Sequence, residues 1–121
     1  MSNTVKMGII GVGNMGTIHS TYLNAGEIDG AVLSAVCDLK EDRRNWAKEN
    51  LAESVAIFSD YKEMIDAEHP DFAVSATPTF LHSEVAMYAL SHGVHIYSEK
   101  PMALTVEDCD RMIAASKENG K

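Results

Sequence analysis

The chain has few cysteines, no long apolar run and no surplus of positive charge, and each shortage removes a class of protein. Cys37 and Cys109 are its 2 cysteines, far apart in 121 residues, so neither a disulfide frame nor a cysteine-rich metal module is expected. Cys37 falls in an expected buried strand and Cys109 on an expected helix, which suggests free thiols in a reducing cytoplasm. No apolar run approaches the roughly 20 residues of a membrane span. The N-terminus also lacks the basic and apolar regions of a signal peptide. A cytoplasmic protein without a membrane partner is expected. Lys and Arg number 10 against 18 Asp and Glu, a formal net charge of −8, and a net acidic body argues against a nucleic-acid partner. His19, His69, His82, His92 and His95 show no metal-site pattern with cysteine or carboxylate partners. No metal is expected, and no linker, low-complexity stretch or solenoid repeat is visible.

What is present centres on Val5 to Gly16. Met7 to Ile10 is a short apolar run that breaks abruptly into glycines, as a buried parallel strand does. Gly11, Gly13 and Gly16 then form G-x-G-x-x-G, and Met15, Ile18 and Tyr22 recur behind it at helical spacing. In a strand–turn–helix unit the first glycine permits backbone angles that a Cβ forbids. The second lets the main chain approach a pyrophosphate, and the third lets helix and strand pack closely. The N–H groups of the helix start and the positive end of its dipole favour a phosphate there. A bare motif of this kind also fits a βα turn that binds nothing. The added signal is Asp38, which follows a second expected strand, Leu33 to Cys37, about twenty residues beyond the last glycine. A carboxylate there can accept from both hydroxyls of an adenosine ribose and repels a 2′-phosphate, so it favours NAD over NADP. Lys40, Arg43 and Arg44 lie close enough to blur that preference. The alternative for Asp38 is a helix N-cap.

The rest of the chain alternates strand and helix, which predicts an α/β fold with a parallel sheet covered on both faces. The first helix ends at Asn24-Ala25-Gly26. Helices are expected over Glu41 to Leu51, with Trp46, Ala47 and Leu51 toward the sheet, and from Asp60 with Glu63 to His69-Pro70, with Tyr61, Met64 and Ile65 inward. Another runs from about Phe80 to His92 with Leu81, Val85, Tyr88 and Ala89 on one face, and stops at Gly93. The last starts at Thr105 with Asp108 and points Val106, Cys109 and Ile113 inward. Strands are expected at Ala56 to Phe58, Asp71 to Ser75 and Val94 to Tyr97. Right-handed crossovers give a Rossmann-like doubly wound sheet of order 3-2-1-4-5. The loops after Ile10, Cys37, Ser75 and Tyr97 then share the edge where ligands of such sheets bind.

Two of those loops carry further candidates. Thr77-Pro78-Thr79 pairs a stiff backbone with hydroxyls, suited to the diphosphate or nicotinamide-ribose side of a dinucleotide, though Thr79 can also cap the next helix. His82 lies in the first turn of that helix. It either contacts a ligand or hydrogen-bonds a loop carbonyl. Glu99-Lys100-Pro101 sets an acid and a base side by side at a strand end, which is costly unless they face a solvated or functional cleft. Lys100 is the candidate for moving a substrate proton, with Glu99 accepting from the cofactor and Pro101 a site for a cis bond. The alternative is a solvated turn with a surface ion pair.

The stretches GIIGVGNMG, ATPTFLHSEVAMYALSHG and VHIYSEKPMALT, with Asp38 between them, resemble the N-terminal half of the Gfo/Idh/MocA oxidoreductases across nearly the whole chain. The resemblance implies an NAD(P)-binding Rossmann domain, here residues 1–121, of a dehydrogenase acting on a sugar, inositol or similar polyol. It implies that Gly11, Gly13, Asn14, Met15 and Gly16 wrap the pyrophosphate and that Asp38 holds the adenosine ribose. Thr77, Pro78 and Glu99 line the nicotinamide half with His82 close by, and Lys100 is catalytic. NAD is the expected cofactor, NADP the lesser one. The family often has Asn where this chain has Thr79. It also continues into a sixth strand and a C-terminal substrate domain beyond the position of Lys121, so a polypeptide of this extent is expected not to be competent alone. A fifth strand left at the sheet edge would invite pairing with a second copy. The rival reading is a non-catalytic module that senses the dinucleotide.

Overall fold

The computed structural model describes residues 4–121. Five parallel strands form one sheet in the order 3-2-1-4-5, as the crossovers require. In chain order they are β1 (Val5–Ile10), β2 (Ala31–Cys37), β3 (Ala56–Phe58), β4 (Phe72–Ser75) and β5 (His95–Ser98). The helices are α1 (Asn14–Asn24), α2 (Glu41–Asn50), α3 (Tyr61–Glu68), α4 (His82–Ser91) and α5 (Val106–Asn119), with a single 3-10 turn at Thr79–Leu81 before α4.

Register fixes where the loops emerge. Ile10 lies opposite Cys37 on one side and Ser75 on the other. Cys37 lies opposite Phe58, and Ser75 opposite Ser98. The C-terminal ends of all five strands therefore form one row across the sheet.

Side chains alternate across the strands, as a pleat dictates, and build two cores. Ile9, Val36 and Val74 face Leu23 of α1 and Ala47 of α2. Their neighbours Ile10, Cys37 and Ala73 face Met64 and Ile65 of α3 and Val85 and Ala89 of α4. Each buried branched side chain contributes about 1.5–3 kcal/mol by leaving water. Local signals set the helix ends. The Asp60 carboxylate accepts from Lys62 N–H at the start of α3, Thr105 Oγ1 accepts from Asp108 N–H at the start of α5, and α3 closes on a left-handed His69 at φ 43°.

Two helices turn a different face inward from the one hydrophobicity selects. On α1 the buried residues are Gly16, Ser20 and Leu23, while Met15, Ile18 and Tyr22 stay exposed. The small residues win because α1 lies too close to the first turn for anything larger. On α5, Met112 and Ala115 are buried, Cys109 is half-buried, and Val106 is 77% exposed. That helix packs mainly along α4, so only a narrow stripe is covered and Val106 and Ile113 fall outside it.

Candidate functional site

A cleft of about 840 Å³ runs along the row of strand ends. Gly11, Gly13, Asn14, Met15, Asp38, Thr77, Pro78, His82, Glu99 and Lys100 all line it. Four loops distant in sequence are thus brought together. Gly16 is the exception among the expected residues, and its geometry explains why.

The three glycines do different work. Gly11 has φ +92°, and a Cβ there would lie 2.7 Å from the Ala76 carbonyl oxygen. At Gly16 a Cβ would come 1.7 Å from the Gly11 carbonyl oxygen, so this glycine is what lets α1 sit against the turn. Gly13 is the opposite case: nothing lies within 4 Å of its Cβ position, which opens into the cleft. No side chain caps the α1 N-terminus and no acid stands in its first turn. The start of that helix therefore offers N–H groups and a positive dipole end without a competing carboxylate.

At the neighbouring strand end, Asp38 is held by two backbone donors. Val12 N–H donates to Oδ2 at 2.8 Å and Lys40 N–H to Oδ1 at 2.9 Å. Lys40 itself holds the N-cap position of α2, without a side-chain bond. Lys40 and Arg43 line the cleft beside the carboxylate. Arg44 instead donates to the carbonyls of Asp38 at 2.9 Å and Leu39 at 3.0 Å, so it braces the loop from behind.

Across the switch point, Ser75 Oγ and Thr77 Oγ1 lie 3.1 Å apart. Leu81, not Thr79, is the N-cap residue of α4, and no side chain caps that helix. His82 is buried, and its Nδ1 and Nε2 each lie 2.9 Å from a backbone carbonyl, of Pro101 and Thr77 respectively. The Lys100–Pro101 peptide is cis. Glu99 and Lys100 do not pair with one another. The Glu99 carboxylate instead meets Nε2 of His19 on α1 at 3.2 Å. Lys100 is exposed at the cleft and makes no ion pair among the described residues.

Ser59, Asp60, Tyr61 and Lys62, after β3, also line the cleft. Sequence reasoning passed over them, although β3 ends in the same row as its neighbours. The signal was there in the rule that every parallel strand opens its C-terminal end on one edge. Tyr61 donates to Glu84 at 2.7 Å, and burial, reinforced by that bond, raises its phenol above the ordinary range. Cys37 lines the cleft floor, and burial pushes its thiol up to about 12. It is an inert neutral thiol, not a nucleophile.

The profile of the oxidoreductase family with an NAD-binding Rossmann fold, Gfo/Idh/MocA, matches residues 5–121. The chain belongs to the Gfo/Idh/MocA family. It is similar to inositol 2-dehydrogenase of Salmonella paratyphi B, with 33% identity over 118 residues, 98% of this chain and 35% of that protein. It is 36% identical over 113 residues to myo-inositol 2-dehydrogenase of Thermotoga maritima, covering 93% of this chain and 33% of that protein. Scyllo-inositol dehydrogenase from Lactobacillus casei, solved with bound NAD(H) and scyllo-inositol, superposes with a TM-score of 0.88 at 30% identity. That superposition covers 97% of this chain and 34% of the other. The chain thus spans about a third of the length of these relatives. Within the Gfo/Idh/MocA family it is the NAD-binding Rossmann domain, and its cleft fits a nicotinamide dinucleotide. The Gly13 opening, the uncapped helix start and the Asp38 carboxylate lie in the order such a ligand needs.

Proposed function

We propose that this chain is the cofactor half of a dehydrogenase that moves hydride between NAD and a hydroxyl-bearing carbon of an inositol, sugar or similar polyol. The observation that carries the choice of NAD is Asp38. Its carboxylate borders the cleft at the end of β2, fixed by Val12 and Lys40, where it can accept from ribose hydroxyls and would repel a 2′-phosphate. In this reading Gly11, Gly13, Asn14 and Met15 follow the diphosphate, and Gly16 acts by holding α1 close. Thr77, Pro78 and Glu99 line the nicotinamide side. The bound nicotinamide supplies the hydride chemistry.

Lys100 is the group assigned to hold or move the substrate proton at Nζ, since it is exposed at the cleft with no carboxylate partner to fix it there. The polyol names come from the relatives. We place the enzyme in the cytoplasm on its free thiols, and assign the β5 edge as the surface open to pairing with a second copy.

Calorimetric titration with NAD and, separately, NADP tests the reading. Saturable NAD binding with NADP much weaker supports it. Equal binding removes the role given to Asp38, and no binding of either removes the cofactor function.

A further inference from the structure

His82 is the first residue of α4 and is 1% exposed. Its two ring nitrogens face two different loops. Nδ1 lies 2.9 Å from the Pro101 carbonyl oxygen, and Nε2 lies 2.9 Å from the Thr77 carbonyl oxygen. Thr77 follows β4 and Pro101 follows β5, so one ring spans the two loops that border the same end of the cleft.

A backbone carbonyl accepts hydrogen bonds and cannot donate them. Both contacts are hydrogen bonds only when both ring nitrogens carry protons. A neutral imidazole donates to one loop and turns a lone pair toward the other carbonyl, and a group this buried has no water to replace the lost bond. We propose that His82 is a positioning residue which, as an imidazolium, clasps the loop after β4 to the loop after β5 and thereby sets where Lys100 stands. The inference rests on reading this cleft as the cofactor site. It assigns His82 a task other than touching the ligand, because both of its polar atoms are spent on the backbone. Its effect reaches the chemistry through Pro101, the residue joined directly to Lys100.

The sign of the pH dependence follows. Acid favours the clasped state with both bonds, and one bond is lost when the second ring proton leaves. Charged and titratable groups stand on the same helix, on the loop after β5 and on α5. Its own helix supplies Glu84, which already accepts from Tyr61 of α3. The loop after β5 supplies Glu99, which contacts His19, and Lys100. The α5 helix packs along α4, and its Asp108 is engaged by Thr105 and Arg111.

The test is nitrogen-15 NMR of the histidine rings in the unmodified chain without cofactor, paired with NAD titrations across pH. In the clasped state both His82 ring nitrogens are expected to carry a proton, and NAD affinity is expected to fall as the second proton leaves. A single neutral tautomer at His82 overturns the proposal whatever the chain binds. The variant His82→Gln keeps a donor for one loop only. It should bind NAD about tenfold more weakly at neutral pH, the size of one lost charge-assisted bond. It should also lose the His82 step in its pH profile, a step that His19→Gln should leave in place. Unchanged affinity and profile in folded His82→Gln would overturn the clasp, and if that variant does not fold, the ring spectra of the unmodified chain decide. Doubly protonated His82 in a chain that binds neither NAD nor NADP would leave the clasp standing and remove the cofactor reading.

Discussion

The backbone N–H of Val12 donates to the Asp38 carboxylate at 2.8 Å, joining residues 26 apart in sequence. Val12 sits inside the glycine turn after β1 and is buried, whereas Asp38 ends the strand beside it. One carboxylate therefore serves two purposes. It satisfies a buried donor that the turn leaves without a sheet partner, and it keeps its oxygens at the cleft wall. The same group that shapes the turn lines the cleft.

Replacing Asp38 separates these purposes. Asp38→Ala leaves the Val12 N–H without its acceptor and should cost about 1–3 kcal/mol of stability, measured by chemical denaturation. It should also weaken NAD binding and narrow the gap between NAD and NADP. Asp38→Asn keeps one acceptor oxygen and should recover part of the stability. An unchanged NAD/NADP ratio in a folded Asp38→Ala protein would take the ribose contact away from this residue.

The glycines make a sharper pair. At Gly16 an added methyl carbon would lie 1.7 Å from the Gly11 carbonyl oxygen, a backbone atom that cannot step aside alone. Gly16→Ala should therefore displace α1 and give a severely destabilised protein. At Gly13 nothing lies within 4 Å of the same atom, and φ is −84°. Gly13→Ala should cost no more than about 1 kcal/mol, the scale of an N-cap change, while sharply weakening dinucleotide binding. Thermal melts and NAD titrations on both variants check this. Intact NAD binding in Gly13→Ala would mean that the open space is not where the diphosphate lies.

Much of this was legible from the chain. The period-2 and helical patterns, with the glycine breaks, give the strand order and the loops at one edge, because right-handed crossovers leave few alternatives. Ten expected site residues line one cleft for the same reason. What the pattern missed is contact-specific. Met15, Ile18 and Tyr22 supply the helical spacing by which α1 is read, but the closeness of Gly16 to Gly11 turns small residues inward and leaves these three exposed. Val106 and Ile113 read as buried on hydrophobicity, yet α5 has a single main neighbour. The His19–Glu99 contact joins residues 80 apart, and no local spacing encodes it.

Cys37 gives a pH prediction. Burial raises its thiol from 9.0 to about 12, so the folded chain holds this proton more tightly than the unfolded chain does. Stability from this group is complete below pH 9 and declines as pH rises from about 9 to about 12. Tyr61 adds a loss of the same sign, since its phenol is also raised. Cys37→Ala should be less stable at neutral pH because of the cavity, by roughly 1 kcal/mol, but should lose less stability in alkali. Denaturation midpoints measured across that range test it. An equally steep alkaline loss in the variant would assign the whole effect to the tyrosines. Near neutral pH, Cys37 should also alkylate far more slowly than the half-buried Cys109.

The contact between His19 and Glu99 concerns the part of the cleft proposed for the nicotinamide. His19 Nε2 reaches Glu99 Oε1 at 3.2 Å, and the edge of the same ring meets Tyr97, with centroids 6.4 Å apart. The histidine is thus fixed by β5 and in turn orients the Glu99 carboxylate at the cleft wall. His19→Gln retains a donor and should bind NAD within about twofold of the parent. His19→Ala frees the carboxylate and should weaken NAD binding by about two- to fivefold, the worth of a partly solvated hydrogen bond. Its stability should change by less than about 1 kcal/mol. The comparison that matters is with Glu99→Gln, which removes the charge itself. If His19 acts only by orienting Glu99, His19→Ala should have no further effect in the Glu99→Gln background. Additive losses in NAD affinity would show that the two residues act independently.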